Sequence, residues 1–277
     1  MKIYKTADGA LLNVGDNYFI KEVDDWDTFI NRKNLHESLL VDIESFTVLN
    51  HYELPDALDP PIGSQEIWAS GVTYMRSREA RMEESRKSGG DTFYDKVYDA
   101  DRPELFFKAT PQRTVGHSGT VRIRKDSAWD VPEPELTLFI CSEGSIEGYT
   151  IGNDMSSRSI EGENPLYLPQ AKTYEGCAGL GPCIYVPQKP LASDTKIRLT
   201  IFRDTKEVFS DEIPISQMKR KPTDLVEFLF RECRFPQGCF LMTGTGIVPS
   251  DDFTLKLGDE VHISIDHIGT LVNTVGK

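Results

Sequence analysis

Apolar and polar positions along this chain alternate mostly with period two, the pattern of strands that bury one face. Met1–Tyr4, Ala10–Val14 and Asn17–Ile20 are short β-type runs separated by Asp-Gly and Gly-Asp turns. Glu66–Tyr74 and Pro103–Thr110 read as buried strands. Leu136, Leu138 and Ile140 alternate with Thr137, Phe139 and Cys141, which predicts a strand over Glu135–Cys141. Glu143–Glu147 then supplies a turn, and Gly148–Asn153 runs back as its partner. Further strands are expected at Gly179–Val186, Lys196–Arg203, Val208–Ile213, Phe240–Val248, Val261–Asp266 and Gly269–Val275.

Helical spacing is confined to three stretches. Trp26–His36 places Trp26, Phe29 and Ile30 on one face. Asp224–Glu232 turns Leu225, Phe228 and Leu229 inward, with Thr223 as the expected N-cap. Arg76–Lys87 is a charged run of good helix formers, either a solvated surface helix or a lid hinged at Gly89-Gly90. Strands dominate, so the class is a β-rich α+β fold. The Pro/Gly-rich connector Asp56–Gly63 divides a small N-terminal α+β domain (1–60) from a larger domain (61–277).

Composition narrows the function classes. The 277 residues, 39% hydrophobic and 10% aromatic, suffice for a substantial globular core. A net charge of −13 argues against sequence-independent nucleic-acid binding, which needs a basic face. The N-terminus has no apolar leader core, and no stretch approaches the ~18 apolar residues that span a bilayer. The five cysteines are odd in number and show no short metal or redox spacing. Free thiols in a reducing, cytoplasmic setting are therefore expected.

The candidate chemistry gathers between Pro132 and Lys172. Glu133 and Glu135 are two apart on an extended segment and so share a face. Pro132 and Pro134 cannot donate ladder hydrogen bonds, which places them at a sheet edge or a strand entrance. A turn near Gly144 or Ser145 sets Glu135 opposite Asp154, and cross-strand neighbours have Cβ atoms ~4.5–5.5 Å apart. Two readings fit these three carboxylates. They are solvated edge charges that discourage aggregation, or they bind a hard cation, Mg²⁺ first, then Mn²⁺ or Ca²⁺. Three protein oxygens would leave an octahedral ion open positions for water and a bidentate ligand.

Lys172 is a surface lysine or an acid/base near that site. Glu104 borders a very apolar run and is either in water at a strand mouth or desolvated with a raised pKa. Thr243-Gly-Thr-Gly246 offers N–H groups to an anion without a full phosphate-loop pattern. Ser156, Ser157 and Ser159 lack a nucleophile elbow. The histidines show no paired metal spacing and read as structural. Arg76, Arg78 and Arg81 belong to a helix surface or clamp a carboxylate.

These motifs, taken in order, resemble the fumarylacetoacetate hydrolase superfamily over residues of about 66 to 275. The matching elements are Glu133-x-Glu135, Gly152-Asn-Asp154-Met-Ser-Ser-Arg158, Lys172, Leu241–Gly246, Leu257-Gly-Asp259 and Ile268-Gly269-x-Leu-x-Asn273. The resemblance implies a mixed β-sandwich roll, a divalent metal on Glu133, Glu135 and Asp154, and a homodimer or dimer of dimers. The superfamily spans hydrolysis, decarboxylation, isomerisation and dehydration, so membership alone does not name the reaction. Hydrolase members typically carry a water-activating histidine where Gly71-Val-Thr-Tyr74-Met-Arg-Ser77 has serine.

Tyr74–Arg81, Pro103–Lys108 and Gly162–Lys172 look instead like the 2-keto-3-deoxy-pentonate dehydratases. That resemblance implies Glu104 and Lys172 as the acid/base pair acting on a 2-oxo acid. Tyr74, Arg76, Ser77, Arg78 and Thr245 are the expected substrate contacts. The competing expectations are a C–C hydrolase or isomerase of β-diketo acids, and a metal-stabilised binding protein without catalysis.

Overall fold

The computed structural model describes residues 1–85 and 91–277. The chain opens with the meander β1 (Lys2–Thr6), β2 (Gly9–Val14) and β3 (Asn17–Lys21). Helices α1 (Trp26–Ile30) and α2 (Leu35–Asp42) follow, then β4 (Thr47–Leu49) and β5 (Glu66–Gly71). Helices α3 (Met75–Ser85) and α4 (Asp91–Asp99) lead to β6 (Glu104–Ala109). Short strands β7 (Thr114–Val115), β8 (Thr120–Arg122) and β9 (Asp130–Val131) precede the hairpin of β10 (Pro134–Ile140) and β11 (Ile146–Asp154). After it come β12 (Ser156–Ser157), α5 (Arg158–Glu163), α6 (Leu168–Lys172), β13 (Ala178–Tyr185), β14 (Lys196–Arg203) and β15 (Lys206–Pro214). Helix α7 (Pro222–Phe230), β16 (Cys239–Met242), β17 (Glu260–Ile265) and β18 (Gly269–Gly276) close the chain.

An 11-stranded mixed sheet runs β4-β3-β2-β1-β13-β11-β10-β16-β5-β6, with β7 beside β13. A second sheet runs β15-β14-β17-β18-β8, and β9 pairs with β12. Leu136, Leu138, Ile140 and Ile151 of the large sheet pack with Leu199, Ile201, Ile263 and Leu271 of the second. The opposite face of the large sheet carries Phe139 and Phe240, covered by Trp26, Ile30, Leu35 and Leu39 of α1 and α2. Strand β10 is therefore buried along its whole length, which its alternation of apolar residues on both faces requires. Each such side chain contributes about 1.5–3 kcal/mol of burial. Strand β1 pairs with β13, Lys2 opposite Tyr185, so residues 1–60 extend the same sheet and share its second core.

Several local expectations change. The helix expected over Trp26–His36 is two helices, because Asn34 adopts a left-handed φ of 54° between them. Helix α7 starts at Pro222, whose missing N–H costs nothing at that position, so Thr223 lies inside the first turn and caps nothing. Phe228 remains partly exposed, stacked under Arg102 and Arg231, while Val226 takes the inward position. The strand expected over Phe240–Val248 is shorter, β16 ending at Met242. Helix α3 covers most of Arg76–Lys87, and the hinge expected at Gly89-Gly90 lies outside the described residues.

Four of the five cysteines are buried, Cys233 is exposed, and all are free thiols. Among the described residues, no helix is long and apolar enough to cross a membrane.

Candidate metal and acid/base site

The open end of the β10–β11 hairpin holds the acidic cluster. Pro134 pairs with Asn153 and Glu135 with Gly152, and the Asp154 N–H donates to the Glu133 carbonyl at 2.9 Å. Glu133 thus stands opposite Asp154, a two-residue correction to the expected register. The reversal lies earlier than expected, with Gly144 N–H donating to the Cys141 carbonyl. An irregularity between Phe139 and Ile140 absorbs the remaining offset. A slip of two preserves the face, so the three carboxylates still converge. Pro134 is the first residue of a central strand, which settles the proline question as an entrance rather than an edge.

One carboxylate oxygen from each of Glu133, Glu135 and Asp154 lies within 4.8 Å of the others. The residues are only 4%, 1% and 1% exposed, which excludes solvated edge charges. Their negative charge is met by buried cations. Lys172, at the end of α6, donates to Glu133 and, at 3.2 Å, to Asp154 Oδ2. Lys108 lies 2.6 Å from Asp154 Oδ1, and Arg158 donates to Glu133 Oε1 at 2.7 Å. Burial would raise the Asp154 pKa, but the Lys108 and Lys172 ammoniums outweigh it and hold that carboxyl below its usual value.

Among the described residues no lysine or arginine forms an ion pair with Glu135, and the Lys172 charge only partly offsets the forces on it. Glu135 Oε2 accepts from the Gly244 N–H at 2.6 Å, and burial together with the charges of Asp154 and Glu133 pushes its pKa well up. The Thr243–Gly246 turn therefore does offer an N–H to an anion, and the anion is the protein's own. Gly244 is required there by its φ of +92° and by Ser70 O, 2.9 Å from where a Cβ would stand. An all-oxygen triad with one under-neutralised buried carboxylate suits a divalent hard cation.

Glu104 opens β6 and pairs with Gly71 of β5. Residues 104, 106 and 108 share one face of β6, which sets Glu104, Phe106 and Lys108 along the site. The Lys172 ammonium stands 5.9 Å over the Phe106 ring. Glu104 keeps part of its surface open, yet its Oε2 is buried without a hydrogen-bond partner. Burial raises its pKa, against the pull of Arg81 and Lys172 and with the push of Glu133 and Asp154. The buried Oε2 favours the desolvated reading of Glu104.

The expected substrate contacts divide. Tyr74 is buried, its hydroxyl has no hydrogen-bond partner, and burial plus the Glu135 charge raises its pKa. Ser77 is also buried, but its hydroxyl donates to the Tyr74 carbonyl at 2.8 Å and accepts the Tyr74 N–H at 3.2 Å, closing the first turn of α3. Arg78 is held by Asp95 of α4 and stacks on Tyr98. Arg76 is partly exposed, 3.8 Å from Glu79. Thr245 is buried with its hydroxyl on the Ile247 backbone.

Arg81 is buried in an ion pair with Glu161, which accepts from Ser156, so of its two readings it clamps a carboxylate, one of the protein's own. Lys108 and Arg158 were not singled out as site residues from the sequence. Lys108 carried a usable signal, since a lysine inside Leu-Phe-Phe-Lys-Ala must find an anion. A cavity of about 1220 Å³, lined by Ser142, Ile146, Phe230 and Phe235 among others, lies at the closed end of the hairpin, away from Glu133, Glu135 and Asp154.

Residues 67–276 match the family model of the fumarylacetoacetate (FAA) hydrolase C-terminal domain. A probable 2-keto-3-deoxyxylonate dehydratase of Haloferax volcanii is 50% identical over 216 residues, 78% of this chain and 73% of that protein. The 2-dehydro-3-deoxy-D-arabinonate dehydratase of Saccharolobus solfataricus is 44% identical over 246 residues, 87% of this chain and 79% of that protein. A solved 2-keto-3-deoxy-D-arabinonate dehydratase, complexed with magnesium and 2,5-dioxopentanoate, superposes with a TM-score of 0.83 at 34% identity, covering 100% of this chain and 99% of the other. With the carboxylate triad, the lysine and the two-sheet roll in place, the chain belongs to the fumarylacetoacetate hydrolase family.

Proposed function

We propose that this protein is a divalent-metal-dependent hydro-lyase that dehydrates a 2-keto-3-deoxy-pentonate to 2,5-dioxopentanoate. The observation that carries the reading is the full-length likeness to a dehydratase solved with magnesium and that product, at 34% identity. It is reinforced by the 50% and 44% identical dehydratase relatives. Loss of the C3 proton and the C4 hydroxyl removes one water and leaves a C3=C4 double bond. A C5 proton lost and one regained at C3 move it to C4=C5. That enol takes a proton at C4 as it gives up its O–H proton, which yields the C5 aldehyde and balances the atoms.

Glu133, Glu135 and Asp154 would hold the cation, Mg²⁺ in preference to Mn²⁺ or Ca²⁺. When bound, a divalent cation supplies Lewis acidity that makes the C3–H of a chelated 2-oxo acid easier to remove. The chain's own residues handle the protons. Glu104, desolvated with a raised pKa, and Lys172, poised on the carboxylates, share removal of the C3 proton and protonation of the departing hydroxyl. The free Tyr74 hydroxyl supports a substrate contact. Ser77, Arg78 and Thr245 are engaged by Tyr74, Asp95 and the Ile247 backbone, so Arg76 is the remaining candidate for the substrate's polar groups. The engaged Ser77 hydroxyl also weakens a hydrolase reading, because it leaves no base at the position where hydrolase members carry histidine.

The test is incubation with 2-keto-3-deoxy-arabinonate and -xylonate, and with an acylpyruvate, with and without EDTA. A metal-dependent 2,5-dioxo product is expected. Pyruvate or oxalate release without dehydration would overturn the reading. A homodimer or dimer of dimers is expected in solution, and light scattering behind a sizing column reads it directly.

A further inference from the structure

We propose that Lys108 is a positioning residue that fixes the orientation of the Asp154 carboxylate and the backbone from which Lys172 projects. Lys108 is 0% exposed, and its ammonium meets three oxygens from two separate segments, Asp154-Met155 and Lys172. It lies 2.6 Å from Asp154 Oδ1, donates to the Met155 carbonyl at 2.9 Å, and donates to the Lys172 carbonyl. Two hydrogen bonds to carbonyls and one ion-pair contact engage this buried ammonium, which faces the protein's own groups rather than a substrate. Lys108 therefore acts through Asp154 and Lys172.

Two consequences follow from that geometry. The Lys108 ammonium lies against Asp154 Oδ1, which leaves Oδ2 as the oxygen that shares Lys172 with Glu133. The carbonyl of Lys172 ends helix α6, where the last carbonyls of any helix lack intrahelical partners. Lys108 caps it, as a cation at a helix C-terminus does. One buried charge thus sets the approach of a metal ligand and of the acid/base lysine together. The positive charge also opposes a second cation nearby, so Lys108 lowers metal affinity in exchange for a fixed ligand geometry.

The turnover part of the inference rests on the dehydratase reading, whereas the metal-binding part does not. The variant Lys108→Met keeps the length and apolar stem while removing the charge and all three donors. Binding of Mn²⁺, counted by electron paramagnetic resonance of the free ion, is expected to tighten at least tenfold. kcat is expected to fall at least 10²-fold with KM changing less than fivefold. A purely structural lysine gives the opposite pattern, weaker Mn²⁺ binding with lost thermal stability, and that result overturns the proposal. kcat within threefold of native overturns it as well.

If Lys108→Met does not fold, Lys108→Gln serves under the same criteria, since its amide still reaches toward the carbonyls but carries no charge. Should the native protein fail to dehydrate either pentonate, the function reading falls, while the Mn²⁺ comparison still decides the role of Lys108.

Discussion

Gly71→Ala separates the chemistry of Glu104 from its contribution to the fold. Gly71 faces Glu104 across β5 and β6, and an added Cβ would stand 2.7 Å from Glu104 Cδ. Carbon atoms at optimal separation lie ~3.5–4.0 Å apart, so the carboxylate must swing by about 1 Å. The backbone φ of Gly71 is not left-handed, so alanine adds no strain of its own. The group displaced is the end of a flexible side chain, which keeps the stability cost small. Misplacing a catalytic group by ~1 Å costs about 10²-fold in rate, equivalent to about 2.7 kcal/mol.

The assay is steady-state formation of the 2,5-dioxo product at saturating Mg²⁺, alongside calorimetric Mg²⁺ binding and a thermal melt. A kcat about 10²-fold down, with metal affinity and melting temperature near native, is expected. Turnover within threefold of native would refute the placement of Glu104 in the chemistry.

Four further outcomes are expected. Glu104→Gln and Lys172→Ala each lower kcat by ~10²-fold or more while circular dichroism stays native. Mg²⁺ at 100 times its Kd raises stability by about 2.7 kcal/mol, read as a melting shift that EDTA reverses and Glu135→Gln abolishes. Gly244→Ala, at a φ of +92° and against Ser70 O, displaces the N–H that holds Glu135 and weakens Mg²⁺ binding by calorimetry. Burial raises Asp130 from 3.8 to about 6, so its proton is held more tightly in the folded state. The stability this gives is complete below pH ~4 and is lost as pH rises through ~6. Asp130→Asn should therefore raise the melting temperature at pH 8 by a few degrees, worth about 1–2 kcal/mol after screening, and show no gain at pH 4.

The site was partly legible before any coordinates. Period-two alternation located β10 and β11, and parity placed Glu133 and Glu135 on one face. Even with the turn misjudged, the error in register was an even number, so the convergence of Asp154 survived. The N-cap at Thr223 and the single helix over Trp26–His36 failed because Pro at N1 and one left-handed Asn override periodicity. Arg78 and Ser77 looked like substrate contacts because sequence does not show that Asp95 and the Tyr74 backbone occupy them.

What the sequence determined is local and periodic: which residues alternate, which carboxylates share a strand face, and where a lysine sits in an apolar run. Side-chain direction along a strand follows from backbone geometry alone, so these features need no knowledge of distant partners. What only the tertiary structure decided is the charge environment. Glu104 and Glu135 are raised and Asp154 is lowered because β6, α6 and the Gly244 turn bring particular charges and N–H groups to the end of one hairpin. Burial and Coulomb energies depend on through-space distance, and residues 104, 135, 154 and 172 become neighbours only when the sheet is assembled.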